Sequence, residues 1–154
     1  MDVQRINYGD VDSIANKFDP LLDGSCIPGP TGGTGDGCLG ASKGAGFGWD
    51  DMTIYKVGAQ WSSSEQWTWR MGYSYGDQPI PSSEVTFNIL APAVIEHHVT
   101  FGFTRFIGKD KEFDFAAMYA FENEQSGANR FDPSQEIELE MYQWEVEANF
   151  SWVF

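Results

Sequence analysis

The side chains of this chain best able to do chemistry are few, and their spacing limits what that chemistry can be. Glu96, His97 and His98 are adjacent residues of metal-binding types. In an extended strand neighbouring side chains point to opposite faces, so His97 and His98 cannot share an ion without a bulge, and no metal site is expected. Ser62, Ser63 and Ser64 supply hydroxyls, but no Gly-x-Ser-x-Gly occurs. Ser74 and His98 fall on one strand face with no third group to position them, so the chain reads as a non-enzyme without a cofactor. Lys43, Lys56 and Arg70 are cations able to anchor a carboxylate through a charge-assisted hydrogen bond. For Lys56 and Arg70 we favour the competing use, an internal pair with Glu145, Glu147 or Asp114. Between residues 77 and 92, Pro79, Pro81 and Pro92 stiffen a segment in which Val85, Phe87, Ile89 and Leu90 supply apolar surface. Such a segment either binds a hydrophobic ligand or folds inward onto its neighbours. Cys26 and Cys38 lie in one Gly/Pro-rich stretch and can form a disulfide in an oxidising compartment. Asp19, Asp23 and Asp36 read as solvated surface.

Period-two alternation supplies the elements that position these groups. From Tyr142 the even positions are Tyr142, Trp144, Val146, Ala148, Phe150, Trp152 and Phe154, with polar residues between them as far as Ser151. The same pattern runs through Phe113, Phe115, Ala117, Tyr119 and Phe121, and through Val99, Phe101 and Phe103. It recurs in Trp67, Trp69, Met71, Tyr73 and Tyr75, and in Tyr55, Val57, Ala59 and Trp61. A weaker strand covers about residues 3–11. This pattern predicts six strands, no convincing helix, and Lys56, Arg70 and His98 on the polar face.

The links between these strands are sorted by length. Residues 62–66 and 108–111 make short turns, whereas residues 12–51, 76–96 and 122–136 make long links. Short and long alternate strictly, as tight periplasmic turns and long external loops do in outer-membrane barrels. Aromatic residues at strand ends, such as Trp67, Trp69, Trp152 and Phe154, fit interfacial girdles. A final strand ending on Phe154 suits insertion by the outer-membrane assembly machinery and fixes that end at the periplasmic rim. The expected fold class is therefore all-β: an antiparallel up-and-down transmembrane β-barrel, with residues 1–154 as its six C-terminal strands. Within it, residues 12–51 form a long Gly/Pro-rich external loop. Six strands cannot close a membrane barrel, whose smallest form has about eight, so further strands are expected outside this segment.

Composition narrows the partners. No run approaches the roughly 20 apolar residues of a membrane-spanning helix. Nine Lys and Arg against 23 Asp and Glu, for a net charge of −14, argue against nucleic acid. Aromatic content of 16% with a mean hydropathy of −0.35 suits strands that alternate apolar and polar residues. Met1, Asp2 and Gln4 do not begin a basic and then apolar leader, which points to a fragment or to a lost start.

Particular segments carry a resemblance. They are Gly44-Ala45-Gly46-Phe47-Gly48-Trp49-Asp50-Asp51-Met52-Thr53-Ile54-Tyr55-Lys56-Val57-Gly58, then Arg70-Met71-Gly72-Tyr73-Ser74-Tyr75-Gly76-Asp77-Gln78-Pro79-Ile80-Pro81, and then Glu84-Val85-Thr86-Phe87-Asn88-Ile89-Leu90-Ala91-Pro92. With Glu96-His97-His98, Met118-Tyr119-Ala120 and residues 141–154, this chain resembles the FadL/TodX family of outer-membrane transporters. The resemblance implies passive transport of long-chain fatty acids or other hydrophobic compounds, aromatic hydrocarbons among them, across a Gram-negative outer membrane. The partners it implies are that ligand, outer-membrane lipid and lipopolysaccharide. It also implies that an N-terminal hatch and about eight strands lie outside these residues, and with them the exit route. Ligand-binding candidates are Lys43, Arg70, Val85, Phe87, Ile89 and Leu90. The alternative function is a soluble or surface β-sheet protein that binds a hydrophobic ligand without transport.

Overall fold

The alternating segments are strands in the computed structural model, which describes residues 1–27 and 33–152. Strands β1 (Asp2–Ile6), β2 (Met52–Ser64), β3 (Trp67–Gly76), β4 (His97–Ile107), β5 (Lys111–Ala128) and β6 (Glu136–Trp152) form one antiparallel sheet in sequence order. The all-β, up-and-down expectation holds. The six strands do not close into a barrel, and β1 and β6 are the sheet's two edges. Phe154, which anchored the direction of the last strand in the sequence reading, lies outside the described residues.

Turns at one end of the sheet are tight: residues 65–66 join β2 to β3 and residues 108–110 join β4 to β5. At the other end run the long links, residues 7–51, 77–96 and 129–135. The first strand stops at Ile6 instead of near residue 11, because Asp51 accepts a hydrogen bond from the Gly9 amide at 2.9 Å and draws the chain into a turn. Two single-turn helices, α1 (Asp12–Ala15) and α2 (Val85–Asn88), lie in the first two links where no helix was expected. The third link is shorter than the expected 122–136, since β5 and β6 stay paired out to Ala128 and Glu136.

Direct cross-strand partners share a face, and the register makes one face apolar across the strands. Val57 pairs with Tyr73, Tyr73 with Val99, Val99 with Tyr119 and Tyr119 with Trp144. Toward the tight turns, Trp61, Trp69, Phe103 and Phe115 form a second row by the same pairing. Trp67 and Trp69 stack with centroids 5.3 Å apart, and Phe103 lies 5.4 Å from each of them. Between these aromatic rows the face carries Ala59, Met71, Phe101, Ala117 and Val146. Most of it is uncovered: Trp144 is 66% exposed and Val146 55%.

β6 then reverses its chemistry without reversing its geometry. Even-numbered residues keep pointing to the apolar-face side, but beyond Tyr142 they are Glu140, Glu138 and Glu136, all exposed. The odd residues there, Met141, Leu139 and Ile137, turn to the opposite side and are covered. A bulge between Ala120 and Asn123 changes the phase of β5 to match, so Glu124 pairs with Glu140 and Gln125 with Leu139.

What covers them is a cap made of the long links. Ile80, Val85, Val94 and Leu139 form its buried core, with Trp49, Ala93, Ile137 and Met141 packed around it. Buried polar groups fasten the cap. Asn88 Nδ2 donates to the Phe47 and Glu84 carbonyls at 2.7 and 2.9 Å, and Asn88 Oδ1 accepts from Trp49 Nε1 at 2.6 Å. Glu84, 1% exposed, accepts from the Phe18 amide at 3.0 Å. Gly48 sits at φ +67° against the Glu84 side chain, a conformation and a closeness that favour glycine. Asn123 Nδ2 donates to the Val94 carbonyl at 2.8 Å, tying cap to sheet.

At Gly127 a Cβ atom would collide with the Ser82 carbonyl, backbone against backbone. Gly127→Ala should therefore destabilise the cap by about 1–3 kcal/mol, the usual range for overpacking. Amide exchange should quicken across residues 77–96 and stay unchanged in β2 to β4. Unchanged protection in both regions would show that this contact does not hold the cap.

Candidate functional site

The opposite face of the sheet is polar, and its side chains form a ladder running across the strands. Gln60, Arg70, Thr104, Asp114 and Asn149 come from five successive strands: the register pairs Gln60 with Arg70, Thr104 with Asp114 and Asp114 with Asn149, and Arg70, opposite Gly102, reaches Thr104 diagonally. Arg70 Nε donates to Gln60 Oε1 at 2.9 Å and its Nη1 to Thr104 Oγ1 at 2.7 Å. Thr104, 3% exposed, donates a hydrogen bond from its own hydroxyl to Asp114 Oδ1 at 2.6 Å. Asn149 Nδ2 donates to Asp114 Oδ2 at 3.4 Å and to Ser151 Oγ at 3.1 Å. A hydroxyl thus stands between the guanidinium and the carboxylate. The favoured pairing of Arg70 with an acid is an indirect one here, through Thr104. Lys56 donates instead to Gln4 Oε1 at 3.0 Å.

A cavity of about 600 Å³ lies on this face, with Arg70, Thr100, Asp114, Met118, Glu145 and Glu147 in its lining. Gly102 and Ala116 pair with each other in its floor, where small residues leave the space open. Arg70 is exposed, and its Nε and Nη1 are held by the ladder. Arg70 lines the cavity, and a guanidinium carries further N–H groups able to receive an anion or a carbonyl. The three carboxylates in the same lining oppose an anion, so the site favours a ligand of low charge over a free carboxylate.

The structure separates the other candidates. Val85 lies in the buried cap core, and Phe87 is half-buried, stacked on Phe18 and Phe47 at 5.2 and 5.0 Å. Ile89 and Leu90, which follow them directly, are 56% and 74% exposed. The apolar loop segment therefore packs inward by one half and presents surface by the other. Lys43 is exposed in the first link, away from the ladder residues. Cys26 and Cys38 form a disulfide that closes a small loop beside it. His97 packs at a tilt against Tyr75, 4.9 Å away, and stacks on Tyr73 at 6.0 Å on the apolar face, while His98 pairs with Ser74 and Ala120 on the polar one.

Among the loop acids, Asp19 pairs with Arg130. Hydrogen bonds from Ser25, its hydroxyl foremost, hold the Asp23 carboxyl below its ordinary pKa. Ser134 does the same to Asp132. Sequence reasoning did not single out Thr104, Gln60 or Asn149. Their signal was the shared polar parity of five strands, which becomes informative only once the register is known. Comparison with protein-family models, with curated proteins and with solved structures returns no match for this chain.

Thr104→Val keeps the side-chain shape and removes the hydroxyl that links Arg70 to Asp114. It should lower stability by about 0.5–1.5 kcal/mol, the range for a hydrogen bond whose remaining partners, exposed Arg70 and half-buried Asp114, water can still reach, read from denaturant unfolding. Ser62→Ala, at an exposed position of the same face, should change it by less than about 0.5 kcal/mol.

Proposed function

We propose that these strands are part of the wall of a transmembrane β-barrel in a Gram-negative outer membrane, and that the barrel passively transports long-chain fatty acids or other hydrophobic compounds. The observation that carries the membrane reading is the change of side-chain chemistry along β6. From Tyr142 to Trp152 one face is aromatic and aliphatic, a length that fits the roughly 9–11 residues of a tilted membrane strand. Beyond Tyr142 the same face carries three exposed glutamates and the apolar residues change sides. A strand lying in water throughout has no reason to reverse in this way. A strand that leaves lipid and enters a water-bathed loop region does.

The remaining features support the same arrangement. The apolar face is a continuous band from the Tyr73–Tyr119–Trp144 row to the Trp69–Phe103–Phe115 row, with Ala59, Met71, Phe101, Ala117 and Val146 between them, as a lipid-facing surface requires. Between them the apolar face holds no Asp, Glu, Lys or Arg in β2 to β6; the cations Arg105 and Lys111 sit near the tight turns. Arg105 lies over the Trp67 ring at 5.2 Å, on the tight-turn side of that band. The edges β1 and β6 carry backbone groups that lipid would leave unsatisfied at several kcal/mol each, so further antiparallel strands complete the wall. The ligand class rests on the segments resembling FadL/TodX transporters; the polar-face cavity, with Asp114, Glu145 and Glu147 in its lining, favours the uncharged members of that class over the fatty-acid carboxylate.

Two measurements test this. Val146→Arg places a cation in the middle of the apolar band and should cost about 2–4 kcal/mol of stability in lipid. Glu138→Arg on the same strand and side, beyond Tyr142, should be tolerated. Equal tolerance of both removes the membrane reading. In proteoliposomes containing the polypeptide that carries these strands, labelled fatty acid or hydrocarbon should enter passively. Partitioning into the aqueous phase with no flux would instead identify a surface β-sheet protein that binds its ligand without transporting it.

A further inference from the structure

The nine Lys and Arg of this chain are unevenly spread: Arg105, Lys109 and Lys111 all fall around the tight turn that joins β4 to β5. Alternation puts two of them on the apolar face. Arg105 lies opposite Trp67 and Phe113, and Lys111 lies opposite Ile107 and Trp152. Lys111 is thus the diagonal cross-strand neighbour of Arg105, at the roughly 7–8 Å spacing that long side chains bridge. Both are exposed, and among the described residues neither makes an ion pair. Glu112, beside Lys111, pairs with Phe106 on the polar face, while Asp110 and Glu65 sit in the tight turns. At its far end the apolar face carries exposed Glu124, Glu136, Glu138 and Glu140. Cations at one end and acids at the other give the face opposite charge at its two borders.

The depth of the cations points to their partner. Arg105 follows Phe103 of the aromatic row by two residues, about 7 Å of strand, and Lys111 lies farther along. In the membrane arrangement this is where hydrocarbon gives way to headgroups. Both side chains can lay their stems along the apolar rim and hold their charge at the level of the lipid phosphates. Arg105 lies over the Trp67 ring at 5.2 Å, and its guanidinium keeps N–H donors that match a phosphate. Trp69 gives its Nε1 proton to Ser63, whereas Trp67 Nε1 has no acceptor among the described residues and adds a donor at the same border. Lys109, in the turn, strengthens the same field. A zwitterionic headgroup brings its own ammonium and gains little there; a headgroup of net negative charge gains most.

We infer that Arg105 and Lys111 form a headgroup site for an anionic glycerophospholipid in the leaflet at the tight-turn end. The glutamates at the far border repel the same group, so the preference belongs to that leaflet alone. The inference rests on the membrane reading for its setting and goes beyond it in naming a headgroup, a leaflet and the residues that select it.

Arginine side chains report on the site directly. The polypeptide that carries these strands, labelled with 15N-arginine, is placed in phosphatidylcholine nanodiscs, and phosphatidylglycerol is introduced stepwise. The Arg105 Nε–H signal should shift saturably while those of Arg5, Arg70 and Arg130 stay still. Lys111→Gln should weaken the response about fivefold, the effect of one cation near a lipid surface, and Lys111→Arg should restore it. Glu138→Gln, at the far border of the same face, should leave it unchanged.

A shift that never saturates, or that moves all four arginine signals together, is diffuse surface charge and overturns the site. So does a still Arg105 signal, or a Lys111→Gln response equal to that of the unaltered chain. Glycerol 3-phosphate or polyglutamate moving the Arg105 signal as strongly as the lipid identifies a soluble anion or an acidic protein in its place. A still Arg105 signal in a chain that Val146→Arg destabilises in lipid overturns the headgroup site and leaves the membrane reading standing. Equal tolerance of Val146→Arg and Glu138→Arg, with partitioning into water, overturns the membrane reading and the site with it.

Discussion

Antiparallel pairing ties the face of every side chain to register, and in the β5–β6 hairpin that coupling is broken once, at the bulge between Ala120 and Asn123. Below it, odd residues of β5 point to the apolar face; above it, Asn123, Gln125 and Gly127 point to the cap instead. Without the extra residue, Glu122, Glu124 and Ser126 would face Ile80 and Val94, and no loop could pack there. Asn123 would also lose its hydrogen bond to the Val94 carbonyl, and Gly127 its close approach to Ser82. The cap and the covered side of β6 both depend on that one insertion.

The molecule consequently divides its apolar residues between two destinations. Leu139, Ile80, Val85 and Val94 are buried by other protein atoms, as in any globular core. Tyr73, Phe101, Trp144 and Val146 stay 41%, 43%, 66% and 55% exposed. At about 25 cal/mol per Å² of apolar area removed from water, such a face is a large unrealised stabilisation until something apolar meets it. Two polar arrangements mirror the division. The Arg70–Thr104–Asp114 ladder satisfies charged groups on the open polar face, while Glu84 and Asn88 satisfy backbone groups inside the cap.

Much of the sheet was legible in the sequence because alternation is a direct imprint of strand geometry. Five strands are where Tyr55 to Trp61, Trp67 to Tyr75, Val99 to Phe103, Phe113 to Phe121 and Tyr142 to Trp152 placed them. The sorting of link lengths survived as well. What did not come through was everything that depends on contacts distant in the chain. The stretch after Phe121 looked like loop because its polarity changes phase at the bulge, and a period-two reading treats a change of phase as an end. Thr104 looked like any polar strand residue until register set it between Arg70 and Asp114. Val85 and Ile89 looked alike as apolar loop residues, yet only the single turn of α2 decides that one is enclosed and the other is not.

The cap also brings together parts of the chain that are far apart. Phe18 meets Glu84 and Asp19 meets Arg130, across separations of 66 and 111 residues. Such contacts carry a loop-closure penalty that short turns do not, and they become accessible only after the intervening strands have paired. A hairpin paired one residue out of step would present glutamates to Val94 in place of Asn123 and Gln125, and the links would find nothing to settle on. The seat of the segments that enclose the top of the sheet is thus set by strand alignment: only the observed register turns Asn123 and Gln125 toward them.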